Sequence, residues 1–205
     1  MADGVKKERA RATRRKIIAA ATDLFVAQGY AATKLEDVAA RAGVAVQTVY
    51  FHFTNKRTLL KEAVDVASVG DDEPVALLDR PYLAAIRAEP DGRRALAAWM
   101  SLSRAIFERV APIMTVVRDA SGTDPDVAEQ WRVNQDQRAV AHRELATLLD
   151  AKGALKPGLP LDRASDIIFT IISPEVFMLL TVERGWSPAE WESFVTGAVA
   201  DAVLA

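Results

Sequence analysis

Residues 29–60 read GYAATKLEDVAARAGVAVQTVYFHFTNKRTLL. Two short segments in this run place apolar residues at helical spacing: Leu35, Val38, Ala39 and Ala42 in the first, Val49, Tyr50 and Phe53 in the second. Between them Gly43 takes a positive φ at little cost, and Val44 is an apolar plug for the turn. Thr33 stands three residues before Glu36, the spacing of a capping box in which hydroxyl and carboxylate satisfy the first free amides of a helix. Asn55 is the N-cap expected of a following helix whose buried stripe is Leu59, Leu60, Ala63 and Val64. Two helices of about eight residues joined by a tight glycine turn have the dimensions of a helix-turn-helix, whose second helix enters the major groove of DNA.

Upstream, Ile17, Ala21, Leu24 and Phe25 form the stripe of an amphipathic helix running from Arg9 and stopped by Gly29, with Arg11, Arg14 and Arg15 off the stripe. Residues 1–8 are polar and small and are expected to fray. Residues 1–61 carry 12 Lys and Arg against 5 Asp and Glu, a balance of +7, and the rest of the chain carries 14 against 23, a balance of −9. A cationic head of this kind suits a polyanion, and the acidic remainder points away from one.

Downstream, Gly70-Asp71-Asp72-Glu73-Pro74 is a break with a helix-starting proline, so the expected domains are a helix-turn-helix unit at 9–54, a connecting helix at 55–70 and a larger domain at 74–205. Helices are expected from Pro74 to Ala88 with an interruption at Pro81, from Asp91 past Trp99 and Phe107, and again from a restart at Pro112. Asp124-Pro125 opens a long helix closed by Gly153. Asp162 opens one that Ser173-Pro174 kinks, and Ser187-Pro188-Ala189-Glu190 is a second capping box before a last helix. The fold class is all-α, with about nine helices; the one β-leaning run, Thr115-Val116-Val117, is too short to count against this.

With Val49 and Phe53 buried, the third helix turns Val46, Gln47, Thr48, Phe51 and His52 outward. Gln makes a bidentate contact to adenine, Thr reaches either base edge, and Phe51 and Val46 meet thymine methyls or sugars. Lys34, Lys56 and the basic run Arg11 to Lys16 are candidates for phosphate, which sets register without reading sequence. Tyr50 has two readings, packing between the third and first helices and contact with phosphate.

The run Gly29 to Ala39, then Ala42-Gly43-Val44, then Val49 to Leu60 resembles the N-terminal domain of TetR/AcrR-family regulators, densely over about 45 residues and with the spacing kept. The resemblance implies a homodimer on a palindromic operator of double-stranded DNA, dimerisation through the last two helices, and a small-molecule ligand that lowers DNA affinity. It also implies phosphate contacts from Thr33, Tyr50, His52 and Lys56 and base contacts from Gln47, Thr48 and Phe51. Two positions depart from the family pattern. Ala45 replaces the usual Ser or Thr cap of the recognition helix, at a cost of roughly 1 kcal/mol, and Lys34 replaces a hydroxyl with a cation.

In the larger domain Trp99, Met100, Phe107, Trp131, Phe169 and Phe177 are candidates to line an apolar effector pocket, ordinary core being the alternative for each. From the family, Phe177, Leu180, Trp191, Phe194 and Val195 are dimer candidates. The chain has no cysteine, no His-Glu-x-x-His, no phosphate-binding glycine loop and no nucleophile–base pair, so no enzyme activity, cofactor or metal is expected. No run approaches the roughly 20 apolar residues of a membrane span and the N-terminus begins with charges, so the expected setting is cytoplasmic, with no membrane partner. An activator, or a regulator without a ligand, shares these features; a helical partner-binding protein shares the bundle alone.

Overall fold

Ile17, Ile18, Ala21 and Phe25 line one buried face of α1 (Ala2–Ala32), and the first part of the chain is assembled on that face. The computed structural model describes residues 2–71, 75 and 77–205, with side chains from residue 4. It divides into two compact units, Met1–Asp72 with Pro112–Trp131, and Glu73–Ala111 with Arg132–Ala205. The inclusion of Pro112–Trp131 in the first unit has no local sequence signal. The expected break falls partly on Asp72, Glu73 and Pro74, which lie outside the described residues.

In the first unit α1 begins well before Arg9, so the expected fraying is corrected for residues 2–8; Lys6, Lys7 and Glu8 are good helix formers, and Arg15 pairs with Glu8 at 3.3 Å. Gly29 breaks the helical geometry at φ 81, ψ 170, a conformation that a β-carbon disfavours, before a last turn to Ala32. Then come α2 (Leu35–Ala42), α3 (Val46–His52) and α4 (Lys56–Val69). Gly43 ends α2 in the left-handed region at φ 69, its N–H donating to Ala40 O at 3.2 Å while the Val44 N–H donates to Ala39 O at 3.0 Å. Asn55 caps α4, its Oδ1 accepting from the Thr58 N–H at 2.8 Å.

The capping box expected at Thr33 is corrected. The N-cap of α2 is Lys34, with no side-chain cap bond, and the Thr33 hydroxyl donates backwards to Gly29 O at 2.8 Å. The chain reversal at Gly29 puts that carbonyl in reach, and Thr33 is buried by it, at 1% exposure.

The second half of the chain contributes α5 (Pro81–Ala88), α6 (Gly92–Ser121), α7 (Pro125–Ala151), α8 (Leu161–Ile171), α9 (Pro174–Met178) and α10 (Pro188–Val203). A 3₁₀ turn at Leu77–Asp79 precedes α5, and a π-helical turn at Leu179–Glu183 continues α9. The fold is all-α: among the described residues the sole β pairing is an isolated bridge between Leu155 and Leu204. Asp124 caps α7, Ser173 caps α9, and Ser187 with Glu190 forms both halves of a capping box on α10. The restart expected at Pro112 is corrected. α6 runs through it, since a proline removes one backbone donor and the rest of the 30-residue helix keeps its ladder; Thr115 to Val117 are helical within it.

The expectation that no run approaches a membrane span also needs correction. Leu161–Glu183 has the length and composition for one, with mean hydropathy 1.7. The backbone leaves helical geometry inside it at Ile172 (ψ 81) and Ser173 (ψ 149), so it folds as two helices hinged at Ser173-Pro174.

In the second unit α7 and α8 share a buried polar cluster. The Arg138 guanidinium lies 3.8 Å over the Phe169 ring centroid, donates to Phe169 O and Ile172 O at 3.4 Å each, and stands 3.8 Å from Glu175. His142 meets the edge of the same ring at 5.7 Å. Burial, and then the Arg138 cation, pull the His142 pKa from 6.5 down to about 3. Between those values the unfolded chain binds a proton that the folded chain refuses, so this group's contribution is intact above pH 6.5 and is lost as pH falls toward 3. His142→Gln is therefore expected to flatten the pH dependence of stability: unfolding free energies from urea titrations between pH 7 and pH 4 fall more steeply for the wild type, by up to about 1.4 kcal/mol per pH unit. Parallel curves would take His142 out of the account.

Candidate nucleic-acid interface

α3 has seven residues, well under the roughly 12 to 15 at which an isolated helix becomes even marginal in water, so its position comes from packing. Val49 and Phe53 are buried, and Arg14 of α1 spans the seam, its guanidinium 5.4 Å from the Phe53 ring centroid and 2.6 Å from the Glu62 carboxylate on α4. With that side pinned, Gln47, Tyr50 and Phe51 are exposed, and Val46, Thr48 and His52 are half-buried at the margins. Phe51 is 83% exposed and touches the His52 ring edge-on at 5.3 Å. Tyr50, at 51% exposure, stands at the surface; the aromatic packed against Phe25 of α1 is Tyr30. Ala45 precedes α3 with no side-chain cap, and its carbonyl accepts from the Thr48 N–H at 2.9 Å.

The cations divide into two groups. Lys34 is exposed at the start of α2. Lys56, expected on phosphate, instead turns inward: its ammonium donates to the carbonyls of Tyr30 (2.8 Å), Thr33 (3.0 Å) and Ala31 (3.3 Å), and lies 4.3 Å over the Tyr30 ring. Those carbonyls are left without amide partners where α1 ends and the chain reverses, and a cation is the strongest donor available to them. Burial lowers the Lys56 pKa, with Asp124 acting the other way. Arg57 pairs with Asp126 on the first turn of α7 at 2.5 Å, and Arg41 with Asp23 at 2.9 Å. Arg14 is committed to Glu62 and Phe53. Thr33, the other buried member of the expected set, has its hydroxyl on Gly29 and presents none to the surface.

The effector and dimer candidates separate as sharply. Phe107, Phe177 and Trp191 form a buried edge-to-face cluster, with centroids 5.9 Å (107–177), 5.4 Å (107–191) and 5.1 Å (177–191) apart. Trp99 and Met100 are buried, Phe169 is half-buried under Arg138, and Trp131 clusters with the first unit. Trp191 and Val195, expected at a dimer interface, are fully buried within the chain and have no surface for a second copy. Phe194 is 50% exposed with Trp186 edge-on at 5.4 Å, Leu180 is half-buried, and Leu179 and Val182, which sequence reading missed, are exposed. Leu179, Leu180 and Val182 lie in the π-helical turn, which no pattern of 3.6-residue spacing announces. Among the described residues, the buried Trp191 Nε1, Arg104 Nε and His142 Nδ1 have no hydrogen-bond partner in the chain.

Comparison with known proteins places this arrangement. The family described as "Bacterial regulatory proteins, tetR family" matches residues 17–63. The regulator TcmR of Streptomyces glaucescens is 33% identical over 107 residues, 52% of this chain and 42% of that protein. TtgR of Pseudomonas putida is 44% identical over 59 residues, 29% of this chain and 28% of that protein. The chain thus matches well under two thirds of the length of these curated relatives. Over nearly its whole length it shares the fold of NalD from Pseudomonas aeruginosa, described as the secondary repressor of a multidrug efflux pump (TM-score 0.71, 23% identity, 96% of this chain and 98% of that one). It shares it also with FadR from Bacillus subtilis, solved with stearoyl-CoA (TM-score 0.73, 18% identity, 91% and 97%).

The two lysines make a test. Lys56→Gln is expected to destabilise the chain by about 1.5–3 kcal/mol, the loss of charged hydrogen bonds to carbonyls, read as a lowered urea midpoint. Lys34→Gln is expected to leave the midpoint unchanged while lowering the salt slope of DNA binding by about one unit. The reverse pattern would return Lys56 to the phosphate set.

Proposed function

We propose that the chain, whose residues 17–63 match the family of bacterial tetR regulatory proteins, is a member of that family and a cytoplasmic, sequence-specific transcriptional repressor, released from a palindromic operator when a small molecule binds. The observation that carries this reading is the outward face of α3, where Gln47, Tyr50 and Phe51 stand clear of a core that holds Val49 and Phe53. In this reading residues 9–54 are the DNA-binding domain, 55–70 the lever and 74–205 the effector-binding and dimerising domain. Lys34, Tyr50 and His52 meet phosphate, and Gln47, Thr48, Val46 and Phe51 meet bases.

A palindrome requires two heads, and the exposed apolar side chains Leu179, Val182 and Phe194, with Leu180 and Trp186 beside them, support a homodimer through the last helices. The recognition helices would then stand about one DNA turn, roughly 34–36 Å, or somewhat more apart. The aromatic cluster of Phe107, Phe177 and Trp191, with the buried N–H donor of Trp191, supports an effector with an apolar body and a hydrogen-bond acceptor. An effector favouring the mismatched spacing by about 1–3 kcal/mol would lower operator affinity 5- to 150-fold. The reading assigns the chain no catalysis.

Fluorescence anisotropy of the purified protein on DNA flanking its own gene and on a scrambled duplex, at two salt concentrations, tests this. Tighter binding to the flanking DNA, weakening steeply with salt on both, is expected. Gln47→Ala is expected to narrow the gap between the two duplexes without changing the salt slope. Equal, salt-insensitive binding would refute the reading and favour a helical partner-binding protein.

A further inference from the structure

Over residues 45–54 the outward side chains are Ala45, Gln47, Tyr50, Phe51 and Thr54, with Val46, Thr48 and His52 half-buried. That segment contains no Lys, Arg, Asp or Glu. It therefore lacks the Arg or Lys that makes the commonest contact to guanine O6 and N7, and the carboxylate that accepts from cytosine N4. Of the neighbouring cations, Lys34 is exposed and is assigned to phosphate in the reading above, and four others have partners in the chain. Lys56 is held on three carbonyls, Arg14 on Glu62, Arg41 on Asp23 and Arg57 on Asp126. The one imidazole, His52, is half-buried and edge-on to Phe51.

What is left to read a base edge is the amide of Gln47 and a set of apolar surfaces. Gln fits adenine, donating to N7 and accepting from N6. Phe51 is more exposed than any other large apolar side chain among the described residues, and an aromatic held out into water by a rigid core marks a contact surface. The apolar group that base edges offer in the major groove is the C5-methyl of thymine. A guanine or cytosine facing Phe51 would instead lose water from polar atoms that the phenyl ring cannot satisfy.

We propose that this protein reads its half-sites through thymine methyls, with the Phe51 ring, flanked by Val46 and the Thr48 methyl, packed on the methyls of adjacent A·T pairs while Gln47 fixes an adenine. The proposal rests on the reading that α3 enters the major groove. It implies that the bases under α3 are A·T pairs in an order set by Gln47 and Phe51, and that discrimination against G·C arises from unmade hydrogen bonds.

The test uses the full chain and duplexes selected with it from a random-sequence library. Each thymidine in the selected core is replaced in turn by deoxyuridine, which removes the methyl and nothing else. Removing one packed methyl is expected to weaken binding about fourfold, and the symmetric pair about 15-fold. The salt slope should not change, since no phosphate contact is touched. Phe51→Ala, at an exposed position that leaves the core intact, is expected to bind the thymidine and deoxyuridine duplexes equally. Selected cores of G·C pairs, or selected duplexes indifferent to deoxyuridine, would overturn the proposal while leaving DNA binding in place. Methyl sensitivity that survives Phe51→Ala would overturn the role of Phe51. Failure to select any sequence over scrambled DNA would overturn the proposal together with the reading beneath it.

Discussion

The burial of Val49 and Phe53, with α3 packed on α2 and Arg14 of α1 over the Phe53 ring, is the constraint on which the rest of the first unit depends. A seven-residue helix has no independent stability, so the direction in which α3 faces is set by which two of its side chains the core accepts. Once those are inside, helical geometry leaves Gln47 and Phe51 no place but the surface.

The charge of the head is spent in two ways. A basic segment is easily read as a surface for phosphate, yet several of its cations hold the fold together: Lys56 ties α4 to the end of α1, Arg14 ties α1 to α4, and Arg57 ties α4 to the first turn of α7. Lys34 at the start of α2 and Lys16 on α1 are exposed. α3 itself carries no Lys, Arg, Asp or Glu, so in the proposed reading phosphate contacts and base contacts come from different parts of the same small unit.

The helix-turn-helix was legible in the sequence because its signals are local. Gly43 ends α2 by its own conformational freedom, Asn55 caps α4 three residues away, and the apolar stripes repeat within a few turns. What was not legible depends on residues far apart in the chain. Lys56 reaches carbonyls 23 to 26 positions upstream, and Thr33 abandons its expected cap because Gly29 bends the chain back toward it. On α10, Trp191 and Phe194 are three residues apart and equally apolar, yet one is buried against Phe107 and Phe177 and the other is half exposed. The buried stripe of α10 is Trp191, Val195, Val199 and Val203, a four-residue repeat that Phe194 falls outside.

The central claim, that the outward face of α3 is the surface that meets base edges, is tested most directly by photocrosslinking. A benzophenone side chain placed at position 51 of the full chain, irradiated in the presence of DNA from the gene's own flank, is predicted to join the protein to bases within the protected site and to lose that product when unlabelled duplex competes. Crosslinks confined to protein, or spread evenly over unrelated DNA, would contradict the account at its root.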